Sequence, residues 1–324
     1  MNKILIITSK KDVHVDYILS KCIDFGIDED CIRLNTEDFA DNVKASFDGR
    51  RFTVKLKDSE RIFSSEDIYT VWYRRPQPMY LGAYDDKGVE KFIRQQYNVF
   101  MNGLYYCTHD SALWINDLGK ALLAKNKLYQ LQVANEVEFN IPKLIVSNNY
   151  EDIERFCNET SVVCNKSLDL PRYSINGTEY AYMTRMVKDK NEISDHRAEL
   201  EVCPVLFEEF IDKLYDIRVV IFGKHMFAFE IHSQDENLAT IDMRGIDPCR
   251  LIHRSHILPQ EIKNKIFAFM QRQGLVFSSM DLLLTREGKY YFIENNQNGQ
   301  WLWLENLTDV DMSSDFINFM LKHE

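Results

Sequence analysis

Met280-Asp281-Leu-Leu-Leu-Thr285-Arg-Glu-Gly288-Lys-Tyr290-Tyr-Phe292-Ile-Glu294-Asn-Asn296 is two β-rich runs joined by a tight turn at Glu287-Gly288, and its register follows from the turn outward. With Arg286 opposite Lys289, Thr285 meets Tyr290, Leu283 meets Phe292 and Asp281 meets Glu294, opposed Cβ atoms lying about 5 Å apart. Asn296, two residues on, shares that face. Two opposed carboxylates repel, and an added amide oxygen completes an all-oxygen set suited to a hard cation such as Mg2+. The same residues also describe an exposed hairpin whose acids never meet a metal. A three-residue loop would shift every pair by one.

Outward from this hairpin, residues 205–211, 217–222 and His225–Ile231 read as strands, interrupted by an amphipathic helix at 259–273 with Ile262, Ile266, Phe269 and Met270 on one stripe. A middle block opens on the helix-capping pair Asn116-Asp117 and runs to the Ile141-Pro142 break. It continues as strand 143–147, helix 150–158, strand 162–167, a hairpin of 172–175 with 179–187 around Asn176-Gly177, and a short helix at 193–201. In the first block, Lys3–Thr8 is a strand followed by Val15, Ile18, Leu19 and Cys22 at helical spacing. Residues 32–34, the pair 44–47 and 52–56 around Asp48-Gly49, and Ile68–Tyr73 complete one small sheet, with a helix over 88–106. The expected organisation is an α/β chain in three blocks, 1–115, 116–204 and 205–324.

A length of 324 residues with 45% hydrophobic and 27% charged residues describes two or three globular units with full cores. The formal charge of −11 works against binding to nucleic acid or anionic lipid. The longest apolar runs, such as 266–270, are far shorter than the ~20 residues that span a bilayer. The run at 4–7 is too short for a signal peptide, so a cytoplasmic protein without membrane contact is expected. Seven scattered cysteines without a C-x-x-C read as reduced thiols, and His253 with His256 as loop histidines rather than zinc ligands.

The twelve glycines never stand two apart, which excludes G-x-G-x-x-G, and neither a Walker P-loop, a G-x-S-x-G elbow nor H-E-x-x-H is present. A phosphate ligand must therefore be held by side chains. Lys127 at the start of a helical run and Lys166 at the end of a strand stand where such anchors would be presented, though each alone reads as a surface lysine.

The order Asn126-Lys127, Lys166, Phe207-Glu208-Glu209-Phe210-Ile211, Asp216-Ile217-Arg218, Asp281 and Glu294-Asn295-Asn296 resembles the ATP-grasp superfamily. The resemblance runs from about residue 116 to the C-terminus and implies an ATP-grasp fold, with the N-terminal α/β block as its preceding domain. Trp72-Tyr-Arg74-Arg75-Pro76, Asp242-Met-Arg244 and Asn296-Gln-Asn298-Gly299-Gln300-Trp301 are similar to the microviridin-type peptide maturases, the graspetide synthetases. Gln297, Asn295 and Met243 stand where that family usually has a proline, an aliphatic residue and a tryptophan.

The resemblance implies an ATP-dependent macrocyclase. Such an enzyme phosphorylates Asp or Glu side chains of a ribosomal precursor peptide and joins them to Thr or Ser hydroxyls, or Lys amines, releasing ADP and phosphate. It places Lys127 and Lys166 on the ATP phosphates, Glu208, Glu209, Phe210 and Ile211 along the adenine, and Asp216 on the ribose. Asp281, Glu294 and Asn296 would hold Mg2+, with Arg218 and Arg244 near the transferred phosphoryl group. The partner would be a precursor peptide with a leader and an acidic, Thr-rich core. Its leader would dock on the hairpin and helix at 172–201, and Arg74, Arg75, Arg172, Arg185 and Arg197 are the candidate peptide contacts. A homodimer is also implied. Two other functions remain open: an ATP-grasp ligase adding amino acids to a protein C-terminus, and a catalytically silent nucleotide-binding regulator. Trp301-Leu-Trp303-Leu304 reads as core packing of the last helix, with a substrate wall as its alternative.

Overall fold

The computed structural model describes residues 3–82, 86–169, 172–189, 191–236, 240–241 and 246–323. The chain opens with β1 (Lys3–Thr8), α1 (Val13–Asp24), β2 (Cys31–Asn35) and α2 (Phe39–Asn42). Next come β3 (Val43–Phe47), β4 (Phe52–Leu56), β5 (Ile62–Ser64), β6 (Ile68–Tyr73), α3 (Lys87–Thr108) and β7 (Leu113–Ile115). A parallel sheet in the order β2-β1-β6-β7 is buried on both faces, as parallel sheets usually are. Ile4 and Ile6 of β1 point into one core, Leu5 and Ile7 into another. The expected single sheet is corrected: β3, β4 and β5 form a separate antiparallel sheet. Its buried side (Phe52, Val54, Leu56, Phe63) packs with Leu104 of α3 in the second core, while its other side carries Lys44, Thr53 and Lys55 with an exposed Ile62.

The middle unit comprises α4 (Leu118–Ala124), α5 (Lys127–Glu136), β8 (Leu144–Ser147), α6 (Tyr150–Glu159) and β9 (Val163–Lys166). It continues with β10 (Arg172–Ile175), β11 (Thr178–Ala181), β12 (Arg185–Met186), α7 (Asn191–Asp195), α8 (Arg197–Val202) and β13 (Val205–Glu209). Asp117 and Asn126 cap α4 and α5 through their side chains. The sheet order is β12-β9-β13-β8, so β13, grouped with the C-terminal strands in the sequence reading, belongs beside β8 and β9. The stretch 179–187 is two strands, because β12 leaves the β10–β11 hairpin to pair with β9. The helix at 193–201 likewise divides at His196.

The last unit is β14 (Lys213–Phe222), β15 (His225–Ile231), β16 (His253–Ser255), α9 (Gln260–Gln273), β17 (Phe277–Thr285), β18 (Tyr290–Asn296), α10 (Leu302–Thr308) and α11 (Met312–Lys322). The antiparallel sheet β16-β15-β14-β17-β18 puts Ile217, Val219, Ile221, Met280, Leu282 and Phe292 against α5 and α9. Its other face is divided. Val220, Phe222, Phe229 and Phe277 join the first core with Ile4, Ile6, Trp72, Trp301 and Phe316, whereas Asp216 and Arg218, further along β14, face open space. Trp301 is fully buried, as its core-packing reading expected. Among the described residues no helix is long and apolar enough to cross a membrane.

Buried side chains join the N-terminal part of the chain to this unit, Asn116 and His14 among them. Asn116 donates to the carbonyls of Phe277 and Gln297 and accepts from the N–H groups of Val276 and Phe277, all at 2.8–2.9 Å. His14 accepts from the Leu302 N–H at 3.2 Å, which requires the neutral ring, and burial with help from Arg74 and Arg75 pushes its pKa down to about 2. Asn116→Ala leaves four peptide groups short of a partner, so urea denaturation is expected to show a loss of about 3 kcal/mol. His14 is depressed in the folded state, so its contribution is complete above pH 6.5 and declines as pH falls toward 2. Denaturation curves between pH 7 and 5 should lose about 1 kcal/mol per unit from this residue, and that part of the slope should vanish in His14→Leu.

Candidate active site

The β17–β18 loop has three residues, not two: the Thr285 N–H donates to the Lys289 carbonyl at 2.9 Å and the Gly288 N–H to the Thr285 carbonyl at 3.1 Å. Gly288 sits at φ +77°, where a side chain would be strained. The pairs next to the loop are therefore shifted from those expected: Leu284 meets Tyr290, Leu283 meets Tyr291 and Leu282 meets Phe292. Between Asp281 and Leu282 the register shifts again, because Ile293 is an extra residue on β18. Asp281 consequently faces Glu294, and Ser279 faces Asn296.

Arg218, Asp281 and Glu294 form a row across β14, β17 and β18. Arg218 Nε lies 2.8 Å from Asp281 Oδ1, and Lys127 Nζ lies 3.7 Å from Glu294 Oε2 and donates to the Ser167 carbonyl at 3.3 Å. Opposite this row stands the middle sheet. In β9 and β13, Val163 and Phe207 point to the packed side against α6, while Cys164, Lys166, Leu206 and Glu208 point the other way. Between the two sheets is a cleft of about 460 Å³ lined by Lys127, Lys166, Glu208 to Ile211, Asp216, Arg218, Asp281, Glu294 and Asn296.

Lys166 is ion-paired with Glu208. Burial alone would lower the lysine pKa, but the adjacent carboxylate outweighs it and the pKa is raised. Burial, then Glu208, pushes the Cys164 thiol up to about 12, so it stays protonated and unreactive. Asp216 accepts from Lys213 at 2.8–2.9 Å and from Ser233. Lys213 carried no sequence signal, since a three-residue offset on a regular strand puts side chains on opposite faces. A register shift between Lys213 and Tyr215 brings it round to Asp216. Among the described residues no three His, Cys, Asp or Glu side chains form a metal-holding group. The donor set is two carboxylates and an amide, which fits Mg2+ that keeps water and phosphate oxygens as its other ligands.

The candidate peptide contacts do not gather here. Arg74 is fully buried, with Nε 3.1 Å from Asp12 and Nη1 3.4 Å from the Gly299 carbonyl. Its expected contact with a surface-docked peptide is corrected: it binds the first unit to the loop after β18. A Cβ on Gly299 would come within 2.3 Å of Ser279 Cβ, so that loop is seated tightly. Arg75 is exposed. Arg172 lies in β10 opposite Ala181. Arg185 is paired with Glu192, and Arg197 with Glu151 and Glu201 at 2.8 Å each. Arg244 and the neighbouring Asp242 lie outside the described residues.

Residues 3–119 match the family model of the MvdD pre-ATP grasp domain. The whole chain superposes on a Chryseobacterium gregarium RiPP-associated ATP-grasp ligase, solved with ADP and a leader and core peptide. The TM-score is 0.86 at 27% identity, covering 100% of this chain and 98% of that one. The protein is an ATP-grasp ligase. The fold is shared with the macrocyclase MdnC of Microcystis aeruginosa MRC, solved with precursor peptide MdnA (TM-score 0.82, 24% identity, 98% and 99% covered). It is shared more distantly with D-alanyl-alanine synthetase A of Vibrio cholerae (TM-score 0.60, 11% identity, 99% and 97% covered). No curated protein matches the chain.

The Lys166–Glu208 pair in this ligase yields a test. Lys166→Met strands a buried carboxylate and is expected to cost about 2 kcal/mol in urea denaturation, most of it recovered in the double variant with Glu208→Gln.

Proposed function

We propose that this ligase is an ATP- and Mg2+-dependent peptide macrocyclase acting in the cytoplasm on a ribosomal precursor peptide. The observation that carries the reading is the convergence in one cleft of Lys127, Lys166, Asp216, Arg218, Asp281, Glu294 and Asn296, in a chain that matches a peptide-bound ligase over its full length. Lys127 and Lys166 anchor the ATP phosphates, Glu208 to Ile211 border the adenine, and Asp216 takes the ribose. Asp281, Glu294 and Asn296 hold Mg2+, which when bound neutralises phosphate charge.

A peptide carboxylate oxygen attacks the γ-phosphorus and ADP leaves. A peptide hydroxyl or amine then attacks the acyl carbon, phosphate leaves, and the nucleophile's proton passes to the medium. Arg218 and Arg244 stabilise the charge on the phosphoryl oxygens. No nucleophile from the protein is needed, consistent with the unreactive Cys164. The residues 1–115, 116–204 and 205–324 act respectively as preceding domain, leader-docking subdomain and metal-bearing subdomain. The exposed face of the β10–β11 hairpin, with stacked Tyr173 and Tyr180, together with Arg185 and Arg197, supports docking of the leader there.

We also propose a homodimer, supported by exposed Phe92, Val99 and Tyr106, which recur every seventh residue along α3 and form an unpartnered apolar stripe.

The test is intact-mass spectrometry of acidic, Thr-rich peptides encoded beside the gene, incubated with the protein, ATP and Mg2+. Loss of one water per link is expected, and Asp281→Asn or Glu294→Gln should abolish it with the fold intact. Gain of amino-acid mass would instead indicate a C-terminal ligase, and nucleotide binding without any mass change a regulator. Light scattering at the monomer mass would remove the dimer.

A further inference from the structure

Behind the metal face, the end of β18 at Asn295 is held by amides, whereas Tyr290 and Phe292 earlier in the strand pack in the apolar core. Asn295, between Glu294 and Asn296, is buried at 2% exposure. Its N–H donates to Gln130 Oε1 at 2.9 Å and its carbonyl accepts from Gln130 Nε2 at 2.8 Å. Gln130 Nε2 donates also to the Ala124 carbonyl at 2.7 Å, tying in the end of α4. The Asn295 side chain accepts from Ser278 and donates to Gln273 Oε1 at 3.2 Å, which ties in α9.

Gln130 lies on α5 less than one turn after Lys127, whose Nζ approaches Glu294 from the cleft side. One turn of one helix therefore grips the peptide groups flanking residue 295 while presenting the cation that faces residue 294. A primary amide offers a donor and an acceptor side by side, which matches a backbone N–H and C=O on the same residue. An apolar side chain of equal size fills the space and leaves both groups unpaired.

We infer that Gln130 is a positioning residue for the metal-dependent step. By clamping Asn295 it sets the spacing between Lys127 and the Glu294 and Asn296 oxygens. The inference rests on the ATP and Mg2+ reading of the cleft. Groups that orient metal ligands from behind commonly change metal affinity 10- to 100-fold when removed.

The test is calorimetric titration of ADP with and without Mg2+, on the full chain and on Gln130→Met, with Gln132→Met, on the exposed side of the same helix, as control. The wild-type chain and Gln132→Met are expected to bind ADP more tightly with Mg2+. Gln130→Met should lose that gain by roughly tenfold or more, with metal-free ADP affinity held within about twofold. Gln130→Glu keeps the acceptor for the Asn295 N–H and loses the donor to its carbonyl, so it should fall between the two. It also serves if the Met variant does not fold. The inference is overturned if both variants keep the full gain, or if metal-free and metal-dependent affinity fall in the same proportion, the pattern of a structural role alone. Absence of any Mg2+ effect in the wild-type chain would instead overturn the reading of the cleft.

Discussion

Two carboxylates held face to face is an arrangement a sheet does not keep for its own stability. Asp281 and Glu294 oppose each other across β17 and β18, where like charges repel, and their surroundings answer that repulsion. Arg218 stands beside Asp281 on the next strand, Lys127 approaches Glu294 from α5, and Gln130 locks the backbone behind. The extra residue at Ile293 matters most. Without it the three-residue loop would leave Asp281 opposite residue 293 and turn Glu294 out of the row. The hairpin carries a loop that displaces its register and a bulge that restores it at the position where two acids must meet.

The same sheet shows how one surface serves as both core and cleft wall. Along β14, Phe222 and Val220 are buried under the N-terminal unit and α11, and Arg218 and Asp216 emerge beyond them into the cleft. The boundary runs at Ser279 and Gly299, where the loop after β18 is pressed onto β17 and fastened by Asn116, Arg74 and His14 from the N-terminal unit. That unit borders the cleft without lining it. Its contribution is to fix the loop that leaves Asn296, and a fully buried Arg74 paired with Asp12 suits that task.

Strands such as Lys3–Thr8 and His225–Ile231 were legible to the residue, the first as a short unbroken apolar run rich in β-branched residues and buried almost throughout, the second as a run of β-formers opening just after Gly223-Lys224. The three-residue strands β5, β7 and β16 are too short to show any period. The sheet to which β13 belongs was not legible, since pairing partners are decided by tertiary contacts that a run of β-formers does not encode. In the site, charged residues in a particular order marked the cleft, whereas Lys213 and Gln130 gave no sign. Lys213 reaches Asp216 through an irregularity in β14, and Gln130 acts on main-chain groups, which look alike at every position in a sequence. Arg74 failed for the opposite reason: a tandem of arginines suggests a surface, but a neighbouring Asp12 stabilises one of them in the interior.

The charge of the cleft argues for what must accompany its ligand. Among its described lining residues, Lys125, Lys127, Lys166, Lys213 and Arg218 face Asp169, Glu208, Glu209, Asp216, Asp281 and Glu294, five cations against six carboxylates. Most of the cations already have a partner: Lys166 has Glu208, Lys213 has Asp216, Arg218 has Asp281 and Lys127 has Glu294. A polyphosphate entering alone would meet a site of net negative charge and would have to separate pairs formed within the protein. Arriving with a divalent cation, it brings its own neutralisation and a use for the unfavourable face-to-face acids. Binding would then relieve the repulsion between Asp281 and Glu294 and free Lys127 to turn from carboxylate to phosphate. On this reading the metal is what makes an acidic cleft in an acidic protein compatible with an anionic nucleotide, before it takes any part in the chemistry.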